Sequence, residues 1–262
     1  MGFKDGLLEI RRMKLSIIVS IFNSHEIVRR QLLNFERMNL PDDVEILYMD
    51  DGSTPPLEGN LKNLHIIPVN NPRDDSDGLF YDGRLSIARN MGARLAKGEF
   101  LLMTDIDYII RKEDIEAGRT LKYDKQGFRR EFGVILEDGT ITQDYDVLRQ
   151  YGLLEERIRT RGVQLTPHPN NFIMRKSTYF DVGGYREELQ GLYPSKGDTY
   201  FKRDWTNYMN EGKGTLSPDR TTLLMFPNGQ YCGDVDYNPF KLFHGLSRKT
   251  QLNPFNTGGL NG

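Results

Sequence analysis

One cysteine, Cys232, stands among 262 residues. That count excludes a disulfide framework and any cysteine-based zinc cluster, and it fits a reducing compartment, so a cytoplasmic location is expected. No histidine lies near Cys232 in sequence, so no nucleophilic role is assigned to it. Neither sign of charge is in excess: 35 Lys and Arg stand against 37 Asp and Glu. Binding to nucleic acid through bulk positive charge is therefore excluded. The local trio Arg157, Arg159 and Arg161 reads as a solvated helix face. No apolar run reaches the roughly 18 residues of a membrane span. LSIIVSIF (residues 15–22) follows Arg11, Arg12 and Lys14, as a signal-peptide core would, but no small-residue cleavage site follows it. It is read instead as a buried strand, with residues 1–12 as an extension outside the domain. Internal repeats and low-complexity segments are absent.

The 37% of hydrophobic residues is enough for one large domain or two small ones. The first half alternates strands and helices. Residues 15–21 form a short β-branched run, as expected of a strand covered on both faces. Asn23 followed by Glu26 suits a capping box opening a helix to about Met38, with Val28, Leu32 and Phe35 as its apolar stripe. Strands are expected at 44–49, 64–69 and 99–103, and a helix at 86–96. Residues 70–84, polar and rich in Asp and Gly, read as a long loop. In the second half, residues 134–142 read as a hairpin around Asp138-Gly139. Helices are expected at 144–159, 177–182 and 198–210, and a strand at 171–175. The class is α/β: one Rossmann-like domain with a mainly parallel sheet, helices on both faces and a small antiparallel subregion. Residues 215–262 read as a tail folded over it.

In such sheets ligands collect at the carboxyl ends of the strands. Two acidic motifs fall there. Asp105-Ile106-Asp107 follows the apolar run FLLMT, where carboxylates are costly unless something binds them. The pair suits a divalent cation such as Mg²⁺ or Mn²⁺, provided a bend brings both side chains to one side. Asp50-Asp51-Gly52-Ser53-Thr54 reads two ways: as a tight turn, or as carboxylates that accept hydrogen bonds from a nucleoside.

The pieces also have an order: VSIFN (19–23), MDDGST (49–54), GRLSIARNMGARLAKGEFLLMTDID (83–107), FIMRKSTYFDVGGYREEL (172–189) and GDTYFKRDW (197–205). This order closely resembles the family 2 glycosyltransferases, which have the GT-A fold, over residues 13 to about 214. The resemblance implies a nucleotide-sugar-binding half (13–110), an acceptor-side half (111–214) and a nucleotide-sugar donor, usually a UDP sugar. Ile21, Phe22, Asn23 and Asp51, with Asp50 and Ile106 beside them, would hold nucleobase and ribose. Arg84 or Arg89 would face the diphosphate; for Arg89 an ion pair packing its helix on the sheet competes. Asp105 would sit near the ribose and, with Asp107 as the direct ligand, hold Mn²⁺ or Mg²⁺; the late His244 would be a further ligand, against a structural role for a lone histidine among apolar neighbours.

The same resemblance implies an inverting transfer, with a carboxylate at the start of a second-half helix as general base. Asp198 matches that position. The family's preceding Glu is Gly197 here, and Asp204 on the same helix competes. As a helix N-cap or first-turn charge Asp198 has a plainer role. His168 is a candidate for lining the acceptor site, whereas His25 and His65 read as structural. Trp205, Tyr185 and Tyr193 are read either as sugar-stacking rings or as packing. The acceptor itself is not legible: a glycan, a protein and a modified nucleobase all stay open. A non-catalytic nucleotide- or sugar-binding module on the same fold is the alternative that Gly197 keeps open. A nucleotidyltransferase is disfavoured, because SIFNSHE lacks the Gly-rich basic loop that phosphate binding would need after the first strand.

Overall fold

The computed structural model describes residues 13–69, 82–151, 153, 162–165, 167–189 and 197–227. Its main sheet begins with β1 (Leu15–Ile21), flanked in parallel by β2 (Val44–Asp50) and β4 (Phe100–Asp105); β3 (Leu64–Pro68) extends it beside β2. Beyond β4 come the antiparallel β11 (Phe172–Arg175) and then β6 (Lys125–Gly127), giving the order β3-β2-β1-β4-β11-β6.

Alternate side chains of these strands feed two separate cores, as the two-residue period of a strand requires. Ile17, Val19 and Ile21 of β1, with Ile46, Tyr48 and Leu102, pack against α1 (His25–Met38) and α3 (Lys112–Thr120). Ile18, Leu47, Met49, Leu101 and Met103 face α2 (Asp82–Leu95), α5 (Lys176–Asp181) and α6 (Gly197–Asn210). Each buried aliphatic or aromatic side chain here contributes about 1.5–3 kcal/mol. The intervening α4 (Tyr145–Gln150) is capped by the Asp144 carboxylate, which accepts from the Asp146 and Val147 amides.

A second sheet carries β5 (Tyr108–Ile109), β7 (Arg129–Phe132), β10 (Gln164–Leu165) and β12 (Thr222–Met225), in the order β10-β7-β12-β5. The expected hairpin is present as β8 (Val134–Ile135) and β9 (Ile141–Thr142), with Gly139 at φ +82° in its turn.

One expectation needs correction. The capping box at Asn23 does not form. Asn23 takes a left-handed backbone (φ +46°), and its side-chain oxygen accepts from the Thr54 amide at 2.8 Å. Ser24 precedes the helix instead, and its hydroxyl donates to the Phe22 carbonyl. Beyond residue 214 the described chain stays in contact with the rest of the domain. Thr215 is bound to Asp124, and β12 lies inside the second sheet with Leu223 and Leu224 buried. Of the helix expected at 144–159, α4 is present; residues 154–161, with Arg157, Arg159 and Arg161, lie outside the described residues. No described helix is long and apolar enough to cross a membrane.

Candidate active site

Four elements converge where β1, β2 and β4 end. β4 delivers Asp105 as its last residue. The chain then turns through Ile106 and Asp107 and leaves for the second sheet as β5. That turn is the bend a D-x-D pair requires. Asp105 and Asp107 are both largely buried. Asp107 Oδ1 is buried without a hydrogen-bond partner among the described residues. Burial, and then the adjoining charge of Asp105, push its carboxyl up to about 8. A carboxylate kept out of water and unpaired is costly, so an oxygen-seeking cation fits this corner. The fit is to Asp107 first, because Asp105 Oδ1 is already bound by Arg89. Among the described residues no three His, Cys, Asp or Glu side chains form a cage. A hard cation of this kind commonly completes its shell with water and phosphate. His244 lies outside the described residues.

Arg89 is the hub. It projects from α2, is 1% exposed, and its guanidinium bonds Asp105 through Nη2 and Asp198 through Nη1, the latter at 3.2 Å. Its Cζ lies 5.0 Å from the Tyr185 ring centroid. One planar cation therefore ties the end of β4 to the start of α6. The fork geometry of Arg permits this, and a lysine ammonium would not reproduce it. The packing role weighed for Arg89 is thus realised.

Asp198 uses its other oxygen to accept from the Asn170 amide. It also lies in the first turn of α6, where a negative charge is favourable, and its side-chain bonds run to Arg89 and Asn170. Burial holds its carboxyl above the usual range, while Arg89 pulls the other way. The competitor Asp204 is engaged elsewhere, gripped by the Arg186 fork at 2.8 and 3.0 Å. A Cβ at Gly197 would lie 3.0 Å from Ser86 Oγ of α2, so the two helices approach closely at this position.

His168 lies close enough for Asp105 and Asp198 to act on its charge, though burial keeps its ring below the usual histidine range. Tyr185 stacks on Phe201 at 4.7 Å and is 2% exposed, and Trp205 is buried as well, so both are packing rings. Tyr193 lies outside the described residues.

At the end of β2 the two acidic neighbours part. Both Asp50 oxygens accept backbone amides, from Ser53 at 2.9 Å and Leu57 at 3.1 Å, so the turn reading holds for Asp50. The Asp51 amide donates to the Ile21 carbonyl, which places Asp51 between the ends of β1 and β2. Asn23 closes this turn from β1, its amide donating to Ser53 Oγ. Phe22 and Ile106 are buried. Of Arg84 the structure gives only its place in the first turn of α2. His25 Nε2 meets the Pro55 carbonyl at 2.7 Å, and His65 lies 3.8 Å from the buried Glu45, both structural positions. A groove of about 410 Å³ between α1 and residues 55–61 is lined by none of the site carboxylates.

Sequence reasoning missed Asn170, Gln31 and Asn34. Each is a polar residue whose partner is far away in the chain, and no local pattern marks it.

Residues 16–126 match the family model of glycosyl transferase family 2. Over that stretch the chain is similar to the family 2 glycosyltransferases. The stretch carries β1 through β6, and with them Asp51, Arg89 and the D-x-D corner. Among solved structures, S. aureus TarS 1–349 is similar with a TM-score of 0.50 at 18% identity, covering 81% of this chain and 60% of that one. The same protein in complex with UDP-GlcNAc gives a TM-score of 0.50 at 18% identity, covering 81% and 58%. The mannosyltransferase PcManGT from Pyrobaculum calidifontis, in complex with GDP-Man and Mn²⁺, gives 0.49 at 16% identity, covering 85% and 59%. At these identities the likeness is one of fold, and the fold is GT-A. The chain spans less than two thirds of the length of these structures. No curated protein matches it.

Proposed function

We propose that the chain transfers a glycosyl group from a nucleotide-diphosphate sugar to an acceptor hydroxyl, with inversion at the anomeric carbon. One observation carries the reading: a single buried guanidinium, Arg89, brings Asp198 of the second half to the D-x-D corner of the stretch similar to family 2. A UDP sugar is the donor to test first, since S. aureus TarS binds UDP-GlcNAc on the same fold.

Asp51 and the ends of β1 and β2 would hold the nucleoside. Asp107 and Asp105 would hold Mn²⁺ or Mg²⁺, which supplies Lewis-acid neutralisation of the departing diphosphate when bound. Asp198 takes the proton of the acceptor hydroxyl. The hydroxyl oxygen bonds to the anomeric carbon, and the C–O bond to the diphosphate breaks with its electron pair leaving on the nucleoside diphosphate. A carboxylate offers about four lone-pair sites, so Asp198 can meet the acceptor while Arg89 and Asn170 hold its aim. Its raised proton affinity suits a base. The acceptor class, whether glycan, protein or modified nucleobase, is left to experiment.

The test starts with a thermal-shift screen of nucleotides and nucleotide sugars with Mn²⁺, because a ligand bound by the native state raises the melting point. Release of nucleoside diphosphate is then followed with and without acceptors. Asp198→Asn should lower turnover by about 10² to 10⁴ and leave the donor-induced shift intact. Undiminished turnover removes Asp198 as the base. Failure of every nucleotide sugar to shift the protein or to be cleaved removes the function.

A further inference from the structure

Resting on the reading above, we propose that Gln31 is a positioning residue that fixes the angle of the D-x-D corner and thereby the affinity of Asp107 for its cation. Between β4 and β5 the chain passes from one sheet to another, and the carbonyls around that passage are not all paired by one ladder. Buried carbonyls must be satisfied elsewhere.

Each has a named partner. Gln31 Nε2 donates to the Ile106 carbonyl at 2.9 Å and to the Tyr108 carbonyl at 2.7 Å. The Phe226 amide donates to the Asp107 carbonyl at 3.1 Å, and Asn34 Nδ2 to the Ile110 carbonyl at 3.1 Å.

Gln31 is 1% exposed, on the face of α1 that meets the sheet. Its amide nitrogen has two protons, and they reach the carbonyls on either side of Asp107. Its amide oxygen accepts from the Tyr48 hydroxyl at 2.9 Å, which fixes which end of the amide faces the turn. Asp107 Oδ1 has no hydrogen bond of its own to aim it among the described residues. Its direction is therefore inherited from the backbone that Gln31 pins. Groups that orient a metal ligand in this way commonly matter about 10- to 100-fold in metal affinity.

Asn34 supplies the control. It is a buried amide from the same helix, but it holds a carbonyl three residues beyond Asp107. Mn²⁺ uptake by the full-length protein in the presence of UDP is followed by loss of the electron paramagnetic signal of the free ion. The wild type, Asp107→Asn, Gln31→Met and Asn34→Leu are compared. Gln31→Met should raise the half-saturating Mn²⁺ about 10- to 100-fold. Asn34→Leu should lower the melting temperature of the ligand-free protein while keeping the Mn²⁺ midpoint within about threefold. If Gln31→Met does not fold, Tyr48→Phe replaces it; loss of the hydroxyl that orients the amide should move the midpoint the same way by a smaller factor. Wild-type and Asp107→Asn proteins that both ignore Mn²⁺ overturn the metal-dependent reading and the inference with it. A wild type that binds Mn²⁺, with Gln31→Met unshifted or Asn34→Leu shifted as far, overturns the inference alone.

Discussion

Lys125 on β6 offers a quantitative test of how this fold treats a buried charge. Its ammonium lies 4.5 Å from the ring centroid of Phe172, 5.0 Å from Trp205 and 5.1 Å from Phe201. No ion pair reaches it among the described residues. Two effects compete. Burial disfavours the charged form and pushes the amine down to about 7. The three ring faces favour it, each by roughly 0.5–2 kcal/mol when the cation is desolvated. If burial wins, the unfolded chain, with an ordinary lysine near 10.4, binds more protons than the native state between pH 7 and pH 10. Stability must then rise with pH across that window. A shift of that size costs about 4 kcal/mol at pH 7, of which about 2 kcal/mol is recovered by pH 9. Lys125→Met keeps the volume and the contact with the rings, and it removes the proton. Urea unfolding of wild type and Lys125→Met at both pH values isolates the effect, because every other titrating group cancels. The expected result is a variant more stable at pH 7 by a few kcal/mol, with the gap narrowing by about 2 kcal/mol at pH 9. A variant less stable at pH 7, by a margin indifferent to pH, would refute the reasoning: the rings would then hold a charged lysine.

Two further substitutions probe the frame of the site. Arg89→Met strands Asp105 and Asp198 without their shared cation and should cost about 3–5 kcal/mol in urea unfolding; a cost under about 1 kcal/mol would mean the carboxylates are better hydrated than their burial implies. Gly98→Ala places a carbon 2.5 Å from the Ser16 amide nitrogen and 2.7 Å from the Leu15 carbonyl carbon. It also strains the bond from the Gly98 amide to Ser16 Oγ, so a loss of about 1–3 kcal/mol is expected, read as a lower denaturation midpoint at constant m.

The elements legible in the sequence are those whose partners are solvent or apolar neighbours. β1, β2 and β4 announce themselves as unbroken apolar runs because both faces of each are covered. α5 and α6 end where glycines take positive φ, at Gly183 and Gly212. The second sheet was not legible. Its strands are two to four residues long, too short for a period to show, and Arg129–Phe132 is mostly polar. α1 shows a different limit. Arg30, Gln31 and Asn34 are polar yet buried, because they bond carbonyls some 75 to 105 positions along the chain. The candidate site divides in the same way. Asp105, Asp107, Arg89 and Asp198 stand in motifs, whereas Asn170 and Gln31 acquire their partners only once the chain has folded. Asn23 shows how a local rule yields: the residue suited to a cap is recruited instead by the turn at Thr54.

The reach of Arg89 depends on how low α2 rides over the sheet. Ala88, Ala93 and Ala96 are buried beneath it, and a single methyl on Gly92 would come within 2.6 Å of Ile18 Cγ2. Thickening that seam would lift the helix like a shim under a hinge and draw the guanidinium back from both carboxylates. A residue with no polar atom in its side chain thereby sets whether the two halves of the molecule meet at one candidate corner.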